Sequence, residues 1–260
     1  MSYSRPHLLF GLALIAAAAI LFVVQGCHSK ESALTRAAQD NSGRQLHREA
    51  VEKQPESSPA TAWTSLFDGE TLRGWKRPDF GGEGKVYVEN GTIVMEMGGK
   101  MTGVTWTGDV LRNNYELSLE GKRLEGSDFF CTTTFPVGDD PCSLVVGGWG
   151  GEVVGLSNVD FHHALDNPTM RLMEFTEGRW YRVRIRVTDA AIAAWIDDEQ
   201  VVNQPRKGHK FGIRSECDLC RPLGICTWET KGAVRNIKVR SLDVVGKAVG
   251  SRQSAVGSGK

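Results

Sequence analysis

The chain carries no excess of either charge: 31 Lys and Arg balance 31 Asp and Glu over 260 residues. A nucleic-acid partner needs a concentrated basic footprint, so that class of partner is excluded. Proline is scarce, with nine residues against thirty glycines, which excludes a collagen-like or proline-rich disordered chain and points to many tight turns. Beyond one N-terminal stretch, no segment sustains a helical apolar period, so helix is expected only as a turn or two. No pair of histidines stands at helical metal-binding spacing, and the single C-x-x-C, Cys217-Asp218-Leu219-Cys220, lacks the βαβ context of a redox motif. Neither a metal nor a cofactor is therefore expected.

What the sequence does hold begins with an export signal. Arg5 precedes an apolar run from Leu8 to Val24, followed at once by Gln25-Gly26-Cys27. A cationic start, an apolar core and a small residue before a processing point make a secretory signal. The ending resembles a bacterial lipobox, with Cys27 as the lipidated residue; the length of the run also fits an uncleaved membrane anchor. Both readings put the remainder at the cell envelope, on the periplasmic or outer-membrane side. Residues 1–27 are read as the signal and 28–62, polar and aperiodic, as a flexible tether. Residues 63–244 form the folded body, and 245–260 are a loose tail rich in Gly, Ser, Lys and Arg.

The clearest pattern in the body lies between Trp180 and Val202. Tyr181, Val183, Ile185 and Val187 alternate with Arg182, Arg184 and Arg186, the period of a strand with one buried and one wet face. A second apolar run, Ile192 to Ile196, follows a break at Thr188-Asp189, and Asp197-Asp198-Glu199 turns the chain into a third. This predicts an antiparallel meander, whose apolar face needs an opposing sheet. Tyr115, Leu117 and Leu119 alternate with Glu116, Ser118 and Glu120 in the same way, as do Ile237 and Val239 with Lys238 and Arg240. The fold class is all-β, a sandwich.

Several short motifs, in order, resemble a known family. Leu66-Phe67-Asp68-Gly69 with Leu72 and Gly74-Trp75, then Val88-Glu89-Asn90-Gly91-Thr92-Ile93 and Asn114 to Glu120, then Gly178-Arg179-Trp180-Tyr181 with Trp195-Ile196-Asp197-Asp198, and finally Arg235-Asn236-Ile237, together resemble the 3-keto-disaccharide hydrolase (DUF1080) family of 3-keto-glucoside lyase/hydratases. The resemblance implies a concanavalin-like jelly roll of two curved antiparallel sheets, one of which holds a sugar. It also implies an activity: a 3-ketone acidifies the C2 proton, a base removes it, and the glycosidic oxygen leaves C1 from the enolate. The sequence departs from the family in two places. Where better-known members carry Asn-Ser-Gly with an Arg, and later a Glu with a Gln, this chain reads Phe130-Cys131-Thr132-Thr133-Thr134 and Val154-Gly155-Leu156-Ser157-Asn158.

Candidate catalytic groups are therefore sought elsewhere. Glu152, Asp160, His162 and His163, with Asp166, lie within one stretch, and histidine has the right ordinary pKa for the base. The same cluster also reads as a solvated loop. Arg182, Arg184 and Arg186 are candidates to stabilise the enolate if their face is the sugar-holding one. Trp149, inside Gly147-Gly148-Trp149-Gly150-Gly151, reads equally as a ring that stacks on a sugar or as a core residue beneath a tight corner. Cys131 and Cys142 flank a turn and are candidates for a disulfide across strands, whereas the pairing of Cys217, Cys220 and Cys226 stays open. The expected partner is a carbohydrate, an oxidised glycoside or oligosaccharide. Two functions fit: a lyase or hydrolase on 3-keto-glycosides, and a non-catalytic carbohydrate-binding module; a surface scaffold is the blandest third.

Overall fold

A computed structural model describes residues 62–242. The signal segment, Cys27 and the C-terminal tail lie outside the described residues, as does all of the tether but Ala62.

Two antiparallel sheets make the fold. The first has the order β13 (Glu199–Pro205), β12 (Ala191–Ile196), β11 (Trp180–Val187), β6 (Tyr115–Gly126), β15 (Thr230–Ser241), β4 (Thr92–Met95) and β3 (Val86–Glu89), with β1 (Thr64–Ser65) also paired to β15. The second runs β10 (Arg171–Leu172), β9 (Val153–Ser157), β8 (Asp140–Gly148), β7 (Thr132–Val137), β14 (Gly224–Trp228), β5 (Met101–Trp106) and β2 (Trp75–Lys76). Helix among the described residues is limited to two 3-10 turns, Ala164–Asp166 and Ser215–Cys220.

The meander forms where the alternation predicts it. Val183, Ile185 and Val187 of β11 stand opposite Ile196, Ala194 and Ile192 of β12, and opposite Leu119, Leu117 and Tyr115 of β6. All of these side chains are buried in one cluster with Phe135, Leu144, Val146, Leu156 and Ile225 from the second sheet. Burial of apolar area at about 25 cal/mol per Å² is the main stabilising contribution here, and the period of two delivers it on one face only. The Tyr115 hydroxyl donates across the sandwich to the Pro136 carbonyl at 2.6 Å, tying β6 to β7.

The outward face of the first sheet is built by charge. Register sets Glu116 of β6 directly between Arg186 of β11 and Arg240 of β15. Arg186 Nε donates to its Oε1 at 2.8 Å, Arg240 Nε to Oε2 at 2.6 Å, and Arg184 Nη1 adds a third contact at 3.2 Å. Glu116 is fully buried beneath these guanidiniums although it lies on the outer surface of the sheet. Glu120 is flanked by Arg182 and Arg235 in the same manner. Tryptophan rings complete the face: Arg184 lies 3.9 Å from the centroid of Trp195, and Arg235 lies 4.1 Å from that of Trp180.

The cysteines correct one expectation. Cys142 stands opposite Phe135, four positions along β7 from Cys131, so the two cannot reach disulfide distance. Both are buried free thiols, and burial pushes each thiol far above its ordinary pKa.

Candidate functional site

On the second sheet the outward positions of the central strands carry small hydroxyl side chains. Thr132 and Thr134 alternate with the core-facing Phe135 and Val137 on β7, Ser143 with Leu144 on β8, and Ser157 with Leu156 on β9. Such a face is polar but flat, and it becomes a cleft only because two irregular segments rise over it.

The first is the loop Gly147–Gly151. Gly147, Trp149, Gly150 and Gly151 all take positive φ, between 50° and 114°. Glycine reaches that region without strain, so the sequence places three around the one bulky residue the loop exposes. The Asp128 carboxylate fixes the loop by accepting the Gly150 N–H at 3.2 Å and the Phe129 N–H at 2.7 Å. Trp149 is consequently 38% exposed, which settles its alternative: it is not a core residue.

The second is the segment entering the turn Ser215–Cys220. It lies close on β14 because residue 224 is glycine; a Cβ there would stand 2.6 Å from the Cys220 carbonyl oxygen. Arg214 and Glu216 form a two-point ion pair, with Nη2 to Oε1 at 2.6 Å and Nε to Oε2 at 3.4 Å. The Ser215 hydroxyl adds a contact to Oε2 at 3.2 Å. The Arg214 bond outweighs the opposing effect of burial and holds the Glu216 carboxyl down to about 2. Arg214 also reaches Trp149, 5.7 Å from guanidinium carbon to ring centroid.

Between these segments and the sheet lies a cavity of about 190 Å³, on the scale of a single sugar ring. Trp149, Phe129 and Trp228 give it apolar walls; Arg214, Glu216 and Asp128 give it charge; Thr132, Ser143 and Ser157 give it hydroxyls. Ser143 Oγ is bonded to Thr134 Oγ1 at 2.8 Å and Ser157 Oγ donates to Asn158 Oδ1 at 2.9 Å. The Thr132 hydroxyl is fully buried and has no partner. An orphaned hydroxyl in a cleft costs free energy unless a bound oxygen or water completes it. Aromatic faces, hydroxyls and an ion pair together suit a polyol with apolar C–H faces.

Of the catalytic and sugar-binding candidates named from sequence, Trp149 alone lines this cleft. Arg182, Arg184 and Arg186 project from the outer surface of the opposite sheet, where they pair with Glu116, Asp198 and the Trp195 ring, so they do not face the cleft. Glu152 is exposed in a separate shallow depression beside Arg123, Glu174 and Glu177. Asp160 accepts the Lys210 N–H at 2.8 Å and faces His209 Nδ1 at 2.7 Å, and these bonds hold its carboxyl below the usual range. His162 is exposed, and Asn167 organises the loop by donating to the carbonyls of Leu156, His162 and His163. His163 comes nearest: its Nδ1 meets Asn158 Oδ1 at 3.0 Å, and Asn158 in turn accepts from the cleft residue Ser157. No group of three or more His, Cys, Asp or Glu among the described residues is arranged to hold a metal ion. Sequence reasoning missed Arg214, Glu216, Asp128 and Thr132. The available signal was the charged pair two residues apart at the entry to the C-x-x-C turn.

Residues 62–240 match the family described as the 3-keto-alpha-glucoside-1,2-lyase-like domain. No curated protein matches the sequence. Among solved structures, a Bacillus subtilis protein of unknown function with a galectin-like fold superposes with a TM-score of 0.50 at 9% identity, over 72% of this chain and 97% of that one. A Parabacteroides distasonis protein described provisionally as a glycosyl hydrolase gives 0.46 at 16% identity, over 70% and 94%. Domain 4 of an extracellular arabinanase from Geobacillus stearothermophilus, solved with arabinotriose, gives 0.46 at 14% identity, over 72% and 94%. At such identities the likeness is one of fold, a jelly-roll sandwich of galectin type.

Proposed function

The chain belongs to the 3-keto-alpha-glucoside-1,2-lyase-like domain family, and from that premise we propose that it cleaves 3-keto-glycosides in the cleft between Trp149, Arg214 and Glu216. The observation that carries the reading is the ion pair: one cation and one carboxylate, hydrogen-bonded to each other at the wall of a ring-sized cavity with an unpartnered hydroxyl. In this account the sugar stacks on Trp149 and its 3-keto oxygen draws the Arg214 guanidinium. That contact loosens the Arg214–Glu216 pair, and the Glu216 carboxylate, held down to about 2 only while paired, regains basicity where it is needed. Glu216 then takes the C2 proton, Arg214 stabilises the enolate, and the C1–O bond breaks as the enolate collapses to the unsaturated ketone. The captured proton goes to the departing oxygen, and water adds to the product.

A binding module is the second reading, favoured by one specific fact: a carboxyl at about 2 is a weak base in the empty cleft. A nitrophenyl 3-keto-glucoside separates the two. Turnover by the purified protein, slowed by deuterium at C2 and absent for the unoxidised nitrophenyl glucoside, is the expected result. Binding of the 3-keto sugar by calorimetry without release of nitrophenol sinks the lyase reading and leaves the module.

The envelope location belongs to the same proposal. Mass spectrometry of the membrane-bound protein is expected to find residues 1–26 removed and a lipid on Cys27; an intact N-terminus with an unmodified Cys27 contradicts a lipid anchor at that residue.

A further inference from the structure

Three thiols meet beside the cleft and have no part in the chemistry above. Cys217 and Cys220 lie on the turn Ser215–Cys220, Cys226 lies on the outward face of β14, and the three pack with Met101 in an apolar cluster apart from the main core. Cys226 packs with both of the others in that cluster, and its thiol donates to the Thr132 carbonyl oxygen at 3.7 Å. Cys217 also lines the cleft, so its sulfur is the one a small molecule reaches. All three are free thiols.

We propose that Cys217 and Cys226 form a thiol–disulfide exchange site that low-molecular-weight disulfides enter through the cleft. Cys217 is the attacking sulfur because it alone of the three borders the cleft. Cys226 is the resolving sulfur because it packs in the same cluster as Cys217 and lies on β14, the strand beneath the turn. Interaction with Cys226 draws the Cys217 thiol down against the effect of burial, while Cys226 itself is pushed well up, so the thiolate forms on the reachable side. Cys217 thiolate attacks one sulfur of the reagent disulfide; the S–S bond breaks and the first thiol leaves with a proton. Cys226 then loses its proton and attacks the Cys217 sulfur of the mixed disulfide, and the second thiol leaves. The protein dithiol is oxidised by two electrons and the reagent disulfide is reduced to two thiols. Cys220 stays reduced. The bond ties the Glu216–Cys217 segment to β14, directly at the cleft wall.

The test treats the full chain with bis(2-hydroxyethyl) disulfide, without denaturant, and maps the blocked protein unreduced. Cleavage before Asp218 leaves Cys217 on one peptide and Cys220 with Cys226 on the next. A link between those peptides, with the loss of two hydrogens, is expected in the wild type and equally in Cys220→Ser. Cys226→Ser is expected to stop at a mixed disulfide on Cys217, and Cys217→Ser to leave Cys220 and Cys226 unreacted. Any of four results overturns the proposal: Cys217 unmodified in the wild type, a mixed disulfide that persists there without closure, closure onto Cys220 in Cys226→Ser, or labelling of Cys226 in Cys217→Ser. None of these readouts uses a sugar, so the site stands or falls apart from the lyase reading.

Discussion

Glu216→Gln lowers kcat on a 3-keto-glucoside by about 10²–10⁴-fold, the usual contribution of a positioned general base. KM changes little, because the amide keeps the shape and one acceptor of the carboxylate. Arg214→Met is the companion variant and is expected to lose about 10²–10³-fold, the range for removing one donor to a developing oxyanion. The pH profiles separate their roles. With Glu216 at about 2 in the free protein, kcat/KM stays level with falling pH almost to that value. The acid limb of kcat, which reports the bound state, lies higher, since the substrate engages Arg214 and weakens the pair. In Arg214→Met the kcat/KM limb moves up toward the ordinary carboxylate range. Identical limbs in kcat and kcat/KM, with Glu216→Gln active, would remove Glu216 from the base role.

Glu116→Ala is the largest expected loss of stability. Glu116 is fully buried and satisfies three guanidiniums at once, so its removal leaves Arg184, Arg186 and Arg240 crowded without a counter-charge. Breaking a buried pair costs about 3–5 kcal/mol, and about 2–3 kcal/mol is expected here because the arginines keep partial access to water. The sign with pH is fixed. Burial alone would raise the Glu116 carboxyl, but the Arg240 and Arg186 bonds overcome it and the net direction is down. A depressed carboxyl stabilises the fold above its unfolded pKa and loses that contribution as pH falls through the folded one. Urea midpoints of wild type and variant should therefore lie far apart at neutral pH and converge in acid. Turnover should survive at temperatures where the variant is folded, since this face belongs to the opposite sheet. A variant as stable as wild type at neutral pH would contradict the assigned role.

The fold could be read from the sequence wherever one face is buried and the other wet. Tyr181, Val183, Ile185 and Val187 form the inward row that their spacing predicts, and Arg182, Arg184 and Arg186 the outward one. Alternation states that the arginines face out; it does not state which outward surface is the functional one. Register decides that, because it places Glu116 and Glu120 opposite them. Register also separates Cys131 from Cys142, which a count of residues across the turn pairs. The cleft was harder to see because its parts are distant in sequence. Thr132 and Cys226 become neighbours through the pairing of β7 with β14, and Arg214 reaches Trp149 only because the turn at 215–220 folds back over the sheet. A threonine on an outward strand position looks ordinary in sequence; only burial without a partner marks Thr132. The His162–His163 pair has the residue types of a base, yet the Asn167 side chain shapes that loop by donating to its backbone carbonyls and leaves it one residue removed from the cavity.

The most direct test of the central claim is a crystal structure of Glu216→Gln soaked with a 3-keto-glucoside, which the slowed variant should hold intact. The expected complex has a ring stacked on Trp149, its ketone oxygen on the Arg214 guanidinium, C2 facing residue 216 and a hydroxyl completing Thr132. A sugar seated instead on the arginine–tryptophan face of the first sheet, or beside His162 and His163 with the cleft empty, would contradict it.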